Sequence, residues 1–133
     1  MSAAAPHTPP ASPTAAARAI YRSMRDRDLA AFTALVHPEI EVLQPTWLPY
    51  GGRHHGLEAL LAMFRQVLAL VDVGRLELVS VVGEGDHVWA EFIVQARATG
   101  EDLRVAEHWR FEDGRARFLE VWFQDPTPLQ QNL

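Results

Sequence analysis

The sequence predicts an α+β domain: a curved, mainly antiparallel sheet with three N-terminal helices packed on one face. Three observations predict it. Apolar residues recur at helical spacing in three segments between Thr14 and Val71. After Asp72 the pattern changes to long alternating runs separated by turn residues. One of those turns, Asp113-Gly114, is a strong short hairpin signal. Helices gathered early and strands gathered late give segregated layers rather than a parallel βαβ sheet.

The elements follow in order. Residues 1–13 hold four Pro among small residues and read as a disordered tail. Ala16, Ala19, Ile20 and Met24 mark a first helix from Thr14 to Arg25, with Thr14 as its cap. Asp26 to Asp28 breaks it. A short second helix runs through Leu29, Phe32, Leu35 and Val36 and stops at Pro38. Glu41 to Gln44 is strand-like and ends at Pro45. Pro45 to Gly56, with two Pro and three Gly around Trp47 and Tyr50, reads as a loop. Leu57, Leu60, Leu61, Phe64, Leu68 and Val71 form the stripe of the third helix. Four strands complete the chain: Val73–Val82, His87–Ala98, Arg104–Glu112 and Arg115–Gln124. The expected domain spans residues 14–128, with a C-terminal tail over 129–133.

Length and composition bound the function. A chain of 133 residues is one domain. At 48% hydrophobic and 22% charged it reads as soluble and globular. No apolar run reaches membrane-spanning length and no secretory signal is visible, so no membrane partner and a cytoplasmic location are expected. The absence of cysteine excludes disulfides, thiolate metal sites and a Cys nucleophile. All 12 basic residues are Arg, which excludes a lysine Schiff base and is the usage of a GC-rich bacterial genome. A net charge of −5 without a basic cluster argues against nucleic-acid binding. Ser23 and Ser80 lack a nucleophile-elbow context, and Gly83-Glu84-Gly85-Asp86 lacks the spacing of a phosphate loop.

A symmetric Thr99–Leu103 connection would place Glu107 opposite Gln95 and Trp109 opposite Ile93. The face with Glu107 then carries Trp89, Glu91, Val105 and Trp109, and the other carries Phe92, Val94, Ala96 and His108. On that register Glu107 is a carboxyl among apolar neighbours, the setting that raises a carboxylate pKa toward working pH. A two-residue turn at Asp113-Gly114 would set Glu120 against Glu107 as a like-charged pair, whereas a bulge would turn Glu120 outward. Trp47, Tyr50, Trp89, Trp109 and Trp122 are either pocket walls for a flat, polycyclic ligand or core and interface packing. The apolar face with Phe92, Val94 and Ala96 exceeds what three helices can cover, which predicts a homodimer.

Three groups of residues carry a family resemblance: Arg27-Asp28-Leu29 between the first helices; Leu48-Pro49-Tyr50-Gly51-Gly52 with Gly56 before the third; and Glu112-Asp113-Gly114-Arg115 with Asp125 at the end. In this order they resemble the SnoaL-like branch of the nuclear-transport-factor-2-like superfamily, which also holds ketosteroid isomerases and limonene epoxide hydrolases. The resemblance covers roughly Ala16 to Asp125. It implies a cone-shaped, cystatin-like roll around a deep apolar pocket, no cofactor, and dimerisation through the outer sheet face. A metal site at His54 and His55 is a minor third reading, because adjacent His point different ways and no further ligand cluster accompanies them, so no metal is expected. Glu107-His108-Trp109-Arg110-Phe111 resembles the isomerase strand whose acid stabilises an oxyanion, which lends Glu107 that role. The isomerase Tyr falls at Ile20 or Tyr21. The isomerase base falls at Gln44, which cannot take a proton, and the last-strand Asp of the epoxide hydrolases falls near Val121 or Trp122.

His54, beside His55 in the loop that borders the pocket mouth in relatives, is therefore the candidate base, with a surface His pair as the alternative. The expected function is cofactor-free acid–base chemistry on a bulky apolar small molecule. Cyclisation, isomerisation or dehydration of a polyketide-like metabolite fits best. Glu107, His54 and Tyr21 are the expected catalytic residues. Trp47, Tyr50, Trp89, Glu91, Trp109, Glu120 and Trp122 are expected to contact substrate. Epoxide opening and non-catalytic ligand binding are the alternatives.

Overall fold

The computed structural model describes residues 12–130. The N-terminal tail expected from composition lies almost wholly outside them. Helix α1 (Pro13–Asp26) starts where Ser12 accepts a hydrogen bond from the Ala15 amide at 3.1 Å, with Pro13 in its first turn. It ends at Arg27, whose left-handed φ of 55° lets the Arg27 and Asp28 amides close back on the Met24 and Ser23 carbonyls. Asp28 then caps α2 (Leu29–Ala34) through the Ala31 amide at 3.1 Å.

Here the chain departs from expectation. Helix α2 ends at Ala34, and Pro38 lies inside strand β1 (Val36–Gln44). The strand tolerates it because pairing with its neighbour is interrupted between Val36 and Glu41, so no ladder donor is missed at Pro38. The expected loop after Pro45 contains a further strand, β2 (Gly52–His55), antiparallel to β1. Helix α3 (Leu57–Leu70) passes directly into β3 (Val71–Glu84), so Val71 belongs to the sheet. Strands β4 (His87–Ala96), β5 (Asp102–Glu112) and β6 (Arg115–Phe123) follow, and a fourth short helix, α4 (Thr127–Gln130), closes the chain. Leu129, placed in a tail by the sequence pattern, is buried in the core.

The six strands form one mixed sheet in the order β2-β1-β6-β5-β4-β3, parallel only between β1 and β6. Helix α1 packs on β3 and β4, and α3 on β1, β2 and β3, so both lie on one face. The core sits between that face and the helices.

The β4–β5 register differs from the symmetric reading, with consequences for the site. Gln95 pairs with Asp102, Ala90 with Glu107 and Val88 with Trp109. The turn closes earlier than expected, because the Gly100 amide reaches the Ala96 carbonyl at 2.8 Å with Gly100 at a φ of 73°. The slip is an odd number of residues, and an odd slip exchanges the faces of a strand. Phe92, Val94 and Ala96 therefore point inward and are buried, while Trp89 and Glu91 point outward. Those three residues therefore do not support a dimer; the exposed large apolar residues of the sheet are Val79, Val82, Trp89 and Trp122 instead.

Candidate functional site

The inner sheet face and the helices enclose an apolar cavity, over about 70 Å³ of which the centre of a water-sized molecule can range. Met24, Phe32, Met63 and Phe64 line it from the helices, and Phe92, Trp109 and Val121 from the sheet. Three polar residues join them: Gln44, Tyr50 and Glu107. Among the described residues Glu107 is the only carboxyl that lines the cavity, and no cation lines it.

Strand alternation on β5 places Glu107 between Val105 and Trp109 on the buried face, where it is 7% exposed. The Tyr21 hydroxyl, from α1, donates to Glu107 Oε1 at 2.6 Å. Trp109 Nε1 donates in turn to the Tyr21 oxygen at 2.7 Å. The Tyr21 ring is held edge-on to Trp109 at 5.9 Å and against Phe92 at 5.2 Å. Burial pushes the Glu107 carboxyl up from 4.5 to about 7, and the Tyr21 hydrogen bond opposes part of that rise. Tyr21 is pushed well above the usual phenol range, by burial first and then by the Glu107 charge. Tyr50 is raised to about 12 for the same two reasons. Both phenols thus stay protonated donors at working pH.

Tyr50 reaches the cavity from a loop of successive turns, with the Leu48 amide on the Pro45 carbonyl and the Gly51 amide on the Leu48 carbonyl. A Cβ at Gly51 would overlap the Pro45 carbonyl oxygen and lie 2.8 Å from the Thr46 Cα. Gly51→Ala is expected to cost about 1–3 kcal/mol of stability, measured by denaturant unfolding, with the Tyr50 loop displaced.

The structure brings together four of the residues singled out from sequence: Glu107, Tyr21, Tyr50 and Trp109. It does not bring His54 to them. His54 Nε2 donates to the Tyr50 carbonyl at 2.7 Å, and the side chain does not line the cavity. It ties β2 to the Tyr50 loop, so it is corrected from candidate base to support. His55 faces solvent beside Glu39. Trp47 packs edge-on against Phe123, which lines the cavity, but does not line it itself.

The other expected substrate contacts lie on the outer face. Trp89 and Glu91 are there because of the β4 slip; Glu91 pairs with Arg104, and Trp89 stacks on His108 and Trp122. A bulge between Arg110 and Phe111 sets Val121, not Glu120, opposite Glu107, which turns Glu120 and Trp122 outward. His108, also on this face, is lowered by burial first and then by His87. Among the described residues no cluster of three metal-ligating side chains exists, and no helix is long and apolar enough to cross a membrane.

Gln44 is the cavity residue that sequence reasoning discounted, because it cannot take a proton. Its parity with Ile40 and Val42 on β1 was the available signal for an inward side chain.

A six-strand curved sheet with helices on one face, closing over a cavity with a single buried carboxyl among the described residues, is a fold of the nuclear-transport-factor-2-like kind. The SnoaL-like domain model matches residues 17–118, and the chain belongs to that family, which includes cyclases and isomerases. No curated protein matches the sequence. Among solved structures, TerC co-crystallised with polyporic acid is 26% identical, with 91% of this chain and 100% of that one covered at a TM-score of 0.73. A candidate polyketide cyclase from Sinorhizobium meliloti is 20% identical, covering 80% of this chain and 93% of that one at a TM-score of 0.66. A Xanthomonas campestris protein with a cystatin-like fold is 19% identical, covering 88% and 94% at a TM-score of 0.74.

Proposed function

We propose that the protein is an acid–base enzyme that cyclises, isomerises or dehydrates a bulky, mostly apolar, polyketide-like small molecule, with Glu107 moving the proton. One observation carries this reading: among the described residues Glu107 is the only carboxyl lining a mostly apolar cavity, and it is held by a buried donor chain from Tyr21 and Trp109. With His54 outside the cavity, acid and base are not divided between two residues. A group that titrates at about 7 exchanges a proton in either direction near neutral pH, so one carboxyl suffices for both halves of the reaction. As carboxylate it removes a proton from carbon; as acid it returns that proton to another carbon in an isomerisation, to a departing hydroxyl in a dehydration, or to the carbonyl oxygen that the new carbon–carbon bond of a cyclisation converts to an alkoxide. The Tyr21 hydrogen bond on Oε1 steadies the charged form, and Oε2 carries no hydrogen bond among the described residues. A suitable assay is deuterium uptake from solvent into an enolisable bicyclic ketone such as 2-tetralone. Acceleration over buffer supports the reading. Binding without exchange across a panel of such ketones favours the ligand-binding alternative.

The partner in the same reading is a second copy of the chain. Val82, Trp89 and Trp122 are 62%, 44% and 41% exposed on the outer face, where Val82 pairs with Trp89 and Trp89 stacks on Trp122, a contiguous apolar cluster of the kind that marks an interface. Sedimentation is expected to show a dimer at micromolar concentration, converted to monomer by the double change Trp89→Asp and Trp122→Asp. A wild-type monomer at high micromolar concentration would exclude the dimer. The TerC ligand, polyporic acid, is a first compound to test for binding.

A further inference from the structure

We propose that Gln44 is the specificity element of the cavity, and that its side-chain carbonyl selects a ring-bearing substrate with a phenolic or enolic hydroxyl. The inference rests on the reading of the cavity as a substrate pocket and names the class of substrate.

Gln44 ends β1 and is 9% exposed. Its Nε2 donates to Met63 Sδ at 3.6 Å, and its Oε1 is buried with no hydrogen-bond partner among the described residues. A thioether sulfur accepts hydrogen bonds and cannot donate one, so the amide nitrogen belongs on the Met63 side and the free atom is the oxygen. A buried carbonyl without a donor is costly, and an apolar residue of the same size would avoid that cost. The residue lines the same cavity as Glu107.

The register fixes how the two groups stand. Val42 pairs with Leu119 and Leu43 with Glu120, so one step further sets Gln44 beside Val121. Val121 pairs with Glu107. Gln44 and Glu107 therefore flank Val121 from the two neighbouring strands, with backbones about 10 Å apart, two strand spacings. Their side chains rise from the concave face toward the same space. A ring bound between them would carry a hydroxyl at Gln44 and its reacting carbon or oxygen at Glu107.

The same atoms set what is refused. A ketone or ether oxygen at Gln44 would face Oε1 lone pair to lone pair. A carboxylate would find no cation on the cavity wall and would meet the Glu107 charge. A neutral donor is the group that fits both. Sites built around one hydrogen bond to a substrate hydroxyl discriminate strongly against analogues that lack it.

The test compares phenol with its isostere toluene, and with anisole, by NMR titration of the full chain. Wild type is expected to prefer phenol to anisole. In Gln44→Met the phenol-to-toluene affinity ratio is expected to fall roughly tenfold or more, with toluene binding kept or improved. Binding is read here without turnover, so loss of the acid–base reading would leave this result standing. An unchanged ratio in Gln44→Met overturns the proposal. So does a ratio that falls in Glu107→Gln instead, which would place the hydroxyl at Glu107. Should Gln44→Met fail to fold, a wild-type preference for anisole over phenol, or the absence of saturable binding of either, overturns it equally.

Discussion

Glu107→Gln is expected to lower turnover by roughly 100-fold or more while ligand binding is retained, since general acid–base groups contribute 10²–10⁴ in rate. Gln keeps the volume and still offers an oxygen to the Tyr21 hydroxyl, but it cannot carry the proton. Wild-type activity is expected to show a pH limb with an apparent pKa near the carboxyl's value of about 7. A rate rising through that limb identifies proton removal by the carboxylate as the limiting half; a falling rate identifies protonation by the acid. Full activity in the Gln variant would remove Glu107 from the reaction.

The same substitution has a stability signature whose sign is fixed by linkage. The folded protein holds the Glu107 proton more tightly than the unfolded chain, because the folded value is about 7 against an ordinary 4.5. The stabilisation from the neutral, buried acid is complete below about 4.5 and is lost as pH rises through about 7. The difference amounts to roughly 3 kcal/mol between those limits. Denaturant unfolding of wild type and Glu107→Gln at pH 4.5 and pH 9 is expected to show the variant gaining relative stability at the higher pH. Equal pH dependence in both proteins would mean that Glu107 is solvated rather than buried.

What the sequence made legible follows from what local pattern encodes. The alternation of β5 put Glu107 among apolar residues whatever its partner strand did, so its burial could be anticipated from Val105 and Trp109 alone. The α+β layering was visible for the same reason, since periods of 3.6 and 2 belong to single elements. Pairing between strands is different. The β4–β5 turn carries no two-residue signature, and its closure at Gln95 and Asp102 rests on a left-handed Gly100 that the sequence allows without demanding. That one slip moved Trp89 and Glu91 out of the site and Phe92 and Val94 into the core. Pro38 misled because proline stops a helix and also sits in a strand where the ladder is already interrupted. His54 was misplaced for a third reason: proximity of its loop to the cavity says nothing about where a hydrogen bond to a local carbonyl aims the ring. Gln44 was readable as inward-facing but was discounted on its chemistry.

Tyr21→Phe is expected to reduce turnover by about 10- to 100-fold, the equivalent of one charge-assisted hydrogen bond of about 1.5–3 kcal/mol. The hydroxyl touches Glu107 at 2.6 Å and no other carboxyl, so its loss acts on the charge that forms when Glu107 gives up its proton. That hydrogen bond opposes the rise of the carboxyl pKa, so its removal moves the pH limb upward from about 7. A purely structural role for Tyr21 would lower stability and leave the limb where it was. Some stability loss is expected in any case, because Trp109 Nε1 is left without its acceptor at a site 2% exposed; an unsatisfied buried donor costs about 1–3 kcal/mol. Trp109→Phe in the Tyr21→Phe background separates the two effects. It removes the orphaned donor, and is expected to recover part of the lost stability without returning the pH limb or the rate. Recovery of the rate along with the stability would mean that Tyr21 serves packing alone, and that the carboxylate of Glu107 is steadied by some other group.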